Sequence, residues 1–187
     1  IDSVGLITAR SGLEIGLAGV GGTVSSVGII TAPHIKTGGT ANNTGLGEDV
    51  LAANTTGSDN VAIGYRVLDA NTTGVKNTAV GHAALSANTT GSDNTGIGRE
   101  ALTASTTGNK NTALGFQSLY TSITADNNTG IGYRALYANT TGASNVAVGY
   151  AAVDANTTGA QNIGVGYDAL GANTTGANNT AVGYNAM

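Results

Sequence analysis

The chain has 187 residues, no cysteine and a formal net charge of −4. Its seven basic residues are dispersed, which argues against a surface for nucleic acid or anionic membrane, and the lack of cysteine excludes a disulfide framework and a Cys-ligated metal. With one Phe and no Trp, the chain cannot fill a wide aromatic core. Its fold must therefore be stabilised by narrow, regular packing and hydrogen-bonded ladders.

Residues 1–42 form the first predicted segment. The phrase SVGLITA at residues 3–9 returns as SVGIITA at residues 26–32. Alternating apolar residues and glycines predict extended strands, so we expect a β-rich connector or a preceding fibre module. Glycines and serines make residues 16–32 a poor membrane span, and we predict no membrane insertion.

An asparagine then recurs every 17 residues from Asn43 to Asn179 and begins each of eight full units and a partial ninth. A short fixed period is typical of a solenoid, in which each unit is one coil stacked on the last. We number the positions of each unit 1 to 17 from this asparagine. The fold class predicted for residues 43–187 is all-β: a parallel β-solenoid or β-roll of 17-residue coils. The chain starts with Ile1 and stops partway through a unit at Met187, and we expect it to be a piece of a longer polypeptide.

Positions 2 to 5 predict a strand. Position 2 is Thr, Val or Ile and position 4 is Leu, Ile or Val, whereas position 3 between them is Ala or Gly. Larger and small side chains thus alternate with a period of two, which is typical of a strand. We expect positions 2 and 4 to point inward and position 3 to point outward, where a row of small residues would let another chain's sheet approach. Position 5 is always Gly, which indicates a bulge, a positive φ or a close backbone approach.

The rest of the coil carries a second apolar position and a turn. Position 9 is Leu in most units and is expected to pack against position 4 across a thin coil. Asn-Thr-Thr-Gly at positions 12 to 15 predicts a turn whose Gly takes a left-handed conformation. Because the apolar runs of about five residues are too short for a stable helix, two brief strands per coil are favoured.

The turn changes in the unit that begins at Asn111, where residues 122–125 read Ser-Ile-Thr-Ala. Alanine in place of glycine predicts a bent loop that exposes Ile123, either as drift at a surface turn or as a dedicated binding spot. The Asn-x-Thr sequons of six other units could carry glycans in a secretory setting, but we expect bare turn residues. These sequons lie at Asn54, Asn71, Asn88, Asn139, Asn156 and Asn173.

The leading asparagines predict an interior or edge ladder in which each amide bonds the amides one coil above and below. The members of this structural ladder are Asn60, Asn77, Asn94, Asn111, Asn128, Asn145, Asn162 and Asn179. Position 17 gives a second indication of register, because Asp59, Lys76, Asp93 and Lys110 alternate in sign and would pair between stacked coils. The same alternation argues against a row of calcium ligands.

Position 6 holds tyrosine in five units, which predicts a partly exposed aromatic row. Aromatic residues stack on glycans and proteins, so this row is a candidate binding surface. Its tyrosines are Tyr65, Tyr133, Tyr150, Tyr167 and Tyr184. No catalytic, cofactor or metal site is predicted, since His34 and His82 are lone histidines and the carboxylates are not paired on one recurring row.

The segments NVAIG at residues 60–64 and NVAVG at residues 145–149 resemble the head repeats of trimeric autotransporter adhesins. Those repeats centre on an Asn-Ser-Val-Ala-Ile-Gly-like motif and form a left-handed parallel β-roll in a homotrimer; similar repeats occur in tailed-phage fibre and virion proteins. The phrases in residues 1–42 are similar to structural proteins of tailed phages. The resemblance implies a homotrimeric fibre, although the adhesin repeat is shorter than the one found here.

Three functions remain open. The first is a structural fibre shaft or spacer of a phage tail fibre or virion appendage that presents a receptor-binding tip. The second is a bacterial cell-surface trimeric adhesin whose solenoid flank binds a host or matrix partner directly. The third is ice binding through threonine rows such as Thr55, Thr72 and Thr89.

We expect no enzyme and no cofactor; the expected partners are further copies of the chain, other fibre or virion proteins, and surface glycans. The expected location is extracellular, on a virion or, for the second function, on a bacterial cell.

Overall fold

The computed structural model describes residues 42–187, so the predicted connector of residues 1–42 lies outside the described residues apart from Asn42. Each coil contributes one short strand, and no helix occurs within residues 42–187. The strands are β1 (Thr44–Leu46), β2 (Val61–Tyr65), β3 (Thr78–His82), β4 (Thr95–Ile97), β5 (Thr112–Leu114), β6 (Thr129–Ile131), β7 (Val146–Val148), β8 (Ile163–Val165) and β9 (Thr180–Val182).

The nine strands form a single parallel sheet in the order β1 to β9. Thr44 pairs with Val61 and Val61 with Thr78, and the same one-unit offset holds at every later pair of strands. The all-β parallel solenoid of 17-residue coils is thereby confirmed. Because rungs of a sheet stack at about 4.8 Å, the described solenoid is about 38 Å long.

Left-handed turns take the place of the second strand that the sequence favoured. Positions 7, 9 and 17 have positive φ in every full coil, as at Ala83, Leu85 and Asp93 (φ 54°, 52° and 59°). This conformation costs roughly 1–2 kcal/mol for a residue with a Cβ. The corner residues are held by bonds between coils; for example, the N–H of Leu85 donates to the carbonyl of Ala101 at 3.0 Å. The expectation of two strands per coil is therefore wrong.

The orientation predicted for the strand residues is also wrong. Position 3 faces the interior, where Ala62, Ala79 and Ala113 are completely buried. Position 4 faces solvent, with Leu46 56% and Leu114 44% exposed. The period of two is correct, but its phase is reversed.

The reason for the reversal is a narrow interior filled by leucine. Position-9 side chains such as Leu68 and Leu85 are completely buried and cluster with the position-3 alanines rather than with position 4. A Cβ built on Gly96 would lie 3.3 Å from Leu85 Cδ1, so position 3 has room for little more than a methyl group. The larger aliphatic side chains of positions 2 and 4 must therefore face outward.

Two glycine positions are required for different reasons. Position 5 has φ between 131° and 139° in every coil, and a Cβ on Gly98 would overlap the carbonyl of Gly115. The predicted positive φ and close backbone approach are both present there. Position 15 is not left-handed, contrary to the expectation. A Cβ on Gly74 would instead overlap Asn71 Oδ1 and the carbonyl oxygen of Gly91, so close packing excludes a side chain at this position.

Candidate functional site

Two columns of asparagine run through the interior of the solenoid. The first consists of the leading asparagines, which are buried from Asn43 to Asn162. Asn94 Oδ1 accepts hydrogen bonds from the backbone N–H and Nδ2 of Asn111 at 2.9 and 3.2 Å, and Asn111 Nδ2 also donates to the carbonyl of Ala125 at 2.7 Å. The bond from backbone N–H to the preceding Oδ1 recurs at every step of the column. Each side chain therefore ties its coil to its neighbours through both side-chain and backbone groups.

The second column lies at position 12, in the segment that the sequence assigned to a turn. Asn71 Nδ2 donates to Asn54 Oδ1 at 2.8 Å, and Asn88 Nδ2 donates to Asn71 Oδ1 at 2.8 Å. Four sequon asparagines are completely buried, so they are interior residues rather than turn residues and cannot accept a glycan in the folded solenoid; these are Asn71, Asn88, Asn139 and Asn156. Asn54 and Asn173 are half-buried. The signal that could have revealed this column is the return of asparagine at a second fixed point of the same period.

Two serines interrupt the second column. Ser105 and Ser122 occupy position 12 in successive coils, and both are completely buried. The bent loop predicted after Ser122 is wrong, because Ile123 keeps the backbone bonds of the other coils: it accepts from the N–H of Thr106 at 2.9 Å and donates to the carbonyl of Thr140 at 3.1 Å. Ile123 is exposed, as expected. The interruption therefore changes the interior rather than the path of the chain.

The aromatic row of position 6 lies along an outer flank, where its tyrosines are 41–75% exposed. Neighbouring rings stack from Phe116 to Tyr184, with centroids 4.9–5.5 Å apart and planes 4–15° from parallel. In the preceding coils of the same row, the ring centroids of Tyr65 and His82 are 5.3 Å apart, and the Arg99 guanidinium lies 5.5 Å from the centre of the Phe116 ring. Because stacking covers the ring faces, the row presents mainly ring edges and hydroxyl groups to solvent.

A further group of polar and aromatic side chains lies at positions 7 and 10. The Arg134 guanidinium lies 3.9 Å from the centre of the Tyr137 ring, which stacks on Tyr120 with centroids 5.2 Å apart. Burial raises the pKa of Asp154, and the Asp168 carboxylate raises it further. Within residues 42–187, no three acidic or histidine side chains converge as the ligands of a metal ion would.

The alternating charges of position 17 stack in register but do not pair. The N–H of Lys76 donates to the carbonyl of Ser58 at 2.9 Å, which fixes Lys76 one rung from Asp59. In the described part of the chain, however, neither Asp59 nor Asp93 lies within ion-pair distance of a lysine of this row. These side chains are exposed, where an ion pair contributes only about 0–1 kcal/mol, so little holds the charges in contact.

The threonine row of position 13 lies at the surface and uses its hydroxyl groups to bond the next coil. The hydroxyl of Thr55 donates to the carbonyl of Thr72 at 2.9 Å, and that of Thr72 donates to the carbonyl of Thr89 at 2.9 Å. The Thr89 hydroxyl continues the series with a bond to the carbonyl of Thr106 at 3.0 Å. These donors reinforce the contact between coils and are engaged within the chain.

The outer face of the sheet carries no charged side chain along the nine described strands. Position 4 is Leu, Ile or Val in all nine strands, whereas position 2 is Thr in six strands and Val or Ile in three; we call these two rows the outer strip. At position 4, Leu46, Leu114 and Val182 are 44–71% exposed. Since the strands are parallel and in register, these side chains form two straight rows, about 7 Å apart, along the described solenoid.

The described part of the chain, residues 42–187, contains no helix long and apolar enough to span a lipid bilayer. Comparison of the chain with protein-family models, with curated proteins and with solved structures gave no match.

Proposed function

We propose that the chain is the shaft or spacer of a homotrimeric fibre, a phage tail fibre or other virion appendage that holds a receptor-binding tip away from the particle. The outer strip is the observation that carries this proposal, because a long uncharged surface with an exposed aliphatic row favours burial against a partner. The fibre would lie outside the cell, on the virion surface, and would join other fibre or virion proteins.

The periodicity of the outer strip favours further copies of the same chain as its partners. Its side chains recur at the strand spacing of about 4.8 Å, so a surface with the same repeat meets them in the same way at every rung. Another copy has this repeat over the same length and brings no charge that would be buried without a partner. Three copies around one axis would cover all three strips, as the resemblance to adhesin head repeats implies.

The ladders of the interior favour a spacer as well. Within residues 42–187, each inner coil bonds to the coil before it and the coil after it through the asparagine columns and the parallel sheet. In such an array, stability comes from each unit and its nearest-neighbour contacts, so coils can be added without changing those already present. A rod of this kind sets a distance by its number of coils, which is what a fibre shaft requires.

Position 3, the row of small residues that the sequence predicted at the contact between chains, is unsuitable for testing assembly. Ala79 and Ala147, at position 3, are completely buried inside their own coils. Arginine at either position would disrupt the coil itself, whether or not the chain assembles. A test of assembly therefore needs position 4, which faces outward.

Leu114→Arg is expected to abolish self-association. Leu114 is 44% exposed on the outer strip, so a single chain can accommodate arginine there. In a trimer, three arginines would meet in an apolar interface, where like charges without partners are strongly unfavourable. The mass measured by light scattering and sedimentation should fall from three chains to one, while the β-sheet circular dichroism is retained.

Ile123→Arg is the matched control for this experiment. Ile123 is also 44% exposed and belongs to the same coil, but it lies at position 13, away from the outer strip. This variant should keep the mass of three chains. A monomeric parent protein, or a Leu114→Arg variant with unchanged mass, would contradict the proposed assembly.

The alternative is a bacterial trimeric adhesin whose flank binds a partner directly, and the exposure of the aromatic row favours it. Tyr133, Tyr150 and Tyr167 are 41–48% exposed along one line. Their faces are covered by one another, however, which reduces the surface on which a sugar ring could stack. Glycan binding by the parent protein that is lost in a Tyr150→Ala variant would favour the adhesin over the spacer.

A further inference from the structure

Three buried polar atoms without a protein partner lie in one column, where serine interrupts the second asparagine column. They are Asn88 Oδ1, Ser105 Oγ and Ser122 Oγ, on three successive coils. All three residues are completely buried. A buried polar group without a hydrogen-bond partner destabilises the folded state, so Asn88 Oδ1 and Ser105 Oγ, on adjacent coils, call for a shared partner.

The intact part of the column shows what is missing at Ser105. Asn71 Nδ2 uses its two hydrogens to bond Asn54 Oδ1 at 2.8 Å and the carbonyl of Gly74, in its own coil, at 3.1 Å. Asn88 repeats this arrangement with Asn71 Oδ1 and the carbonyl of Gly91. At position 12, the amide nitrogen therefore serves two acceptors, one in the preceding coil and one in its own.

At Ser105 the same two acceptors are present, but the amide nitrogen is not. Asn88 Oδ1 has no donor, and the carbonyl of Gly108 keeps only the bond from Asn94 Nδ2 at 2.7 Å. The serine hydroxyl is too short to serve both acceptors. The site thus offers two acceptors and one hydroxyl around the place that a carboxamide fills in the neighbouring coils.

We propose that one internal water molecule is bound at this place and stands in for the missing amide nitrogen. It donates one hydrogen to Asn88 Oδ1 and the other to the carbonyl oxygen of Gly108, and it accepts a hydrogen bond from the Ser105 hydroxyl. Three hydrogen bonds are the usual number for a buried water. With this water, the column continues without a break in polar contact between the coils of Asn88 and Ser105.

The room for the water differs between the two serine coils. A Cβ on Gly91 would overlap Asn88 Oδ1, whereas a Cβ on Gly108 would lie 3.1 Å from Ser105 Oγ, so the shorter serine side chain fills less of the space beside its glycine than the carboxamide does. In the next coil, Ala125 replaces the glycine and is buried, so its additional methyl group reduces the space available near Ser122. The water site is therefore specific to the coil of Ser105.

The test combines a crystal structure of the full chain at high resolution with thermal unfolding of the Ser105→Asn variant. The parent protein should show a fully occupied water within hydrogen-bonding distance of Asn88 Oδ1, Ser105 Oγ and the Gly108 carbonyl oxygen. In the variant the introduced carboxamide should displace this water and restore the column. Because the immobilised water is released, we expect the melting temperature to rise by about 2–4 °C.

Ser122→Asn is the matched control, since it makes the same change where the space is reduced. We expect it to lower the melting temperature, because the carboxamide meets the methyl group of Ala125, and we expect the double variant Ser122→Asn/Ala125→Gly to recover it. The proposal is overturned if the Ser105 hydroxyl bonds a carbonyl directly with no water density beside it. It is also overturned if Ser105→Asn destabilises the protein as Ser122→Asn does.

Discussion

Gly98→Ala is expected to lower the free energy of unfolding by about 3 kcal/mol or more and to disrupt the sheet on both sides of β4. The φ of Gly98 is 135°, a backbone conformation that a residue with a Cβ rarely adopts. A Cβ there would also lie 2.7 Å from the carbonyl carbon of Gly115 in the next coil. Backbone atoms of a packed rung cannot move away as a side chain could. Denaturant unfolding followed by circular dichroism measures the loss.

Gly96→Ala provides the control for this prediction, two residues away in the same coil. Gly96 does not have a positive φ, and its nearest neighbour would be the flexible end of Leu85 at 3.3 Å. Alanine already occupies the same position in the adjacent coils, at Ala79 and Ala113. The change should therefore alter stability by no more than about 1 kcal/mol. Equal effects of the two substitutions would show that the positive φ and the close contact at position 5 do not exclude a side chain.

Asn111→Ala is expected to cost about 2–5 kcal/mol, because it leaves buried groups unpaired on both sides. The backbone N–H of Asn128 would lose its acceptor, Asn111 Oδ1 at 2.9 Å, and the carbonyl of Ala125 would lose the Asn111 Nδ2 donor at 2.7 Å. Denaturant unfolding measures the total cost. Hydrogen exchange should locate it as faster exchange at the Asn128 amide.

Asn127→Gly is the matched control for the asparagine column. Asn127 is the exposed neighbour of Asn128 and has φ 59°, a conformation that glycine adopts readily. We expect unfolding and the exchange of the Asn128 amide to remain close to those of the parent protein. If Asn111→Ala were as mild as this control, the buried column would not be a source of stability.

The period of the sequence predicted the fold and its register, because a strict repeat of 17 residues leaves one consistent way to stack the coils. It could not predict which face of the strand is buried. Alternation along a strand defines two faces, and both candidates here are apolar, so the choice depends on the width of the interior. That width is set by leucines such as Leu85, which come from another part of the coil.

The turns could not be predicted from residue type, since left-handed positions are occupied by residues that do not favour them. Leu85, Lys76 and Val153 all have positive φ. Their conformation is imposed by the bonds between coils rather than by local preference. Similarly, Asn71 and its equivalents were assigned to a local turn because Asn-Thr-Thr-Gly is a strong turn signal. Their role in the interior follows from their periodic recurrence, not from that local signal.

The stacking of successive coils in register can be tested most directly by distances between spin labels within one chain. The sequence has no cysteine, so labels attach only where one is introduced. Exposed position-17 sites give two pairs, Asp93→Cys with Gln161→Cys and Asp59→Cys with Gln161→Cys, and dilution with unlabelled chain removes distances between chains.

Double electron–electron resonance should give mean distances of about 19 Å for the first pair and about 29 Å for the second, because the labels are about four and about six coils apart and each coil adds the spacing of one strand. Distances that fail to grow by this increment, or that spread broadly toward those of an extended chain, would contradict the stacked solenoid.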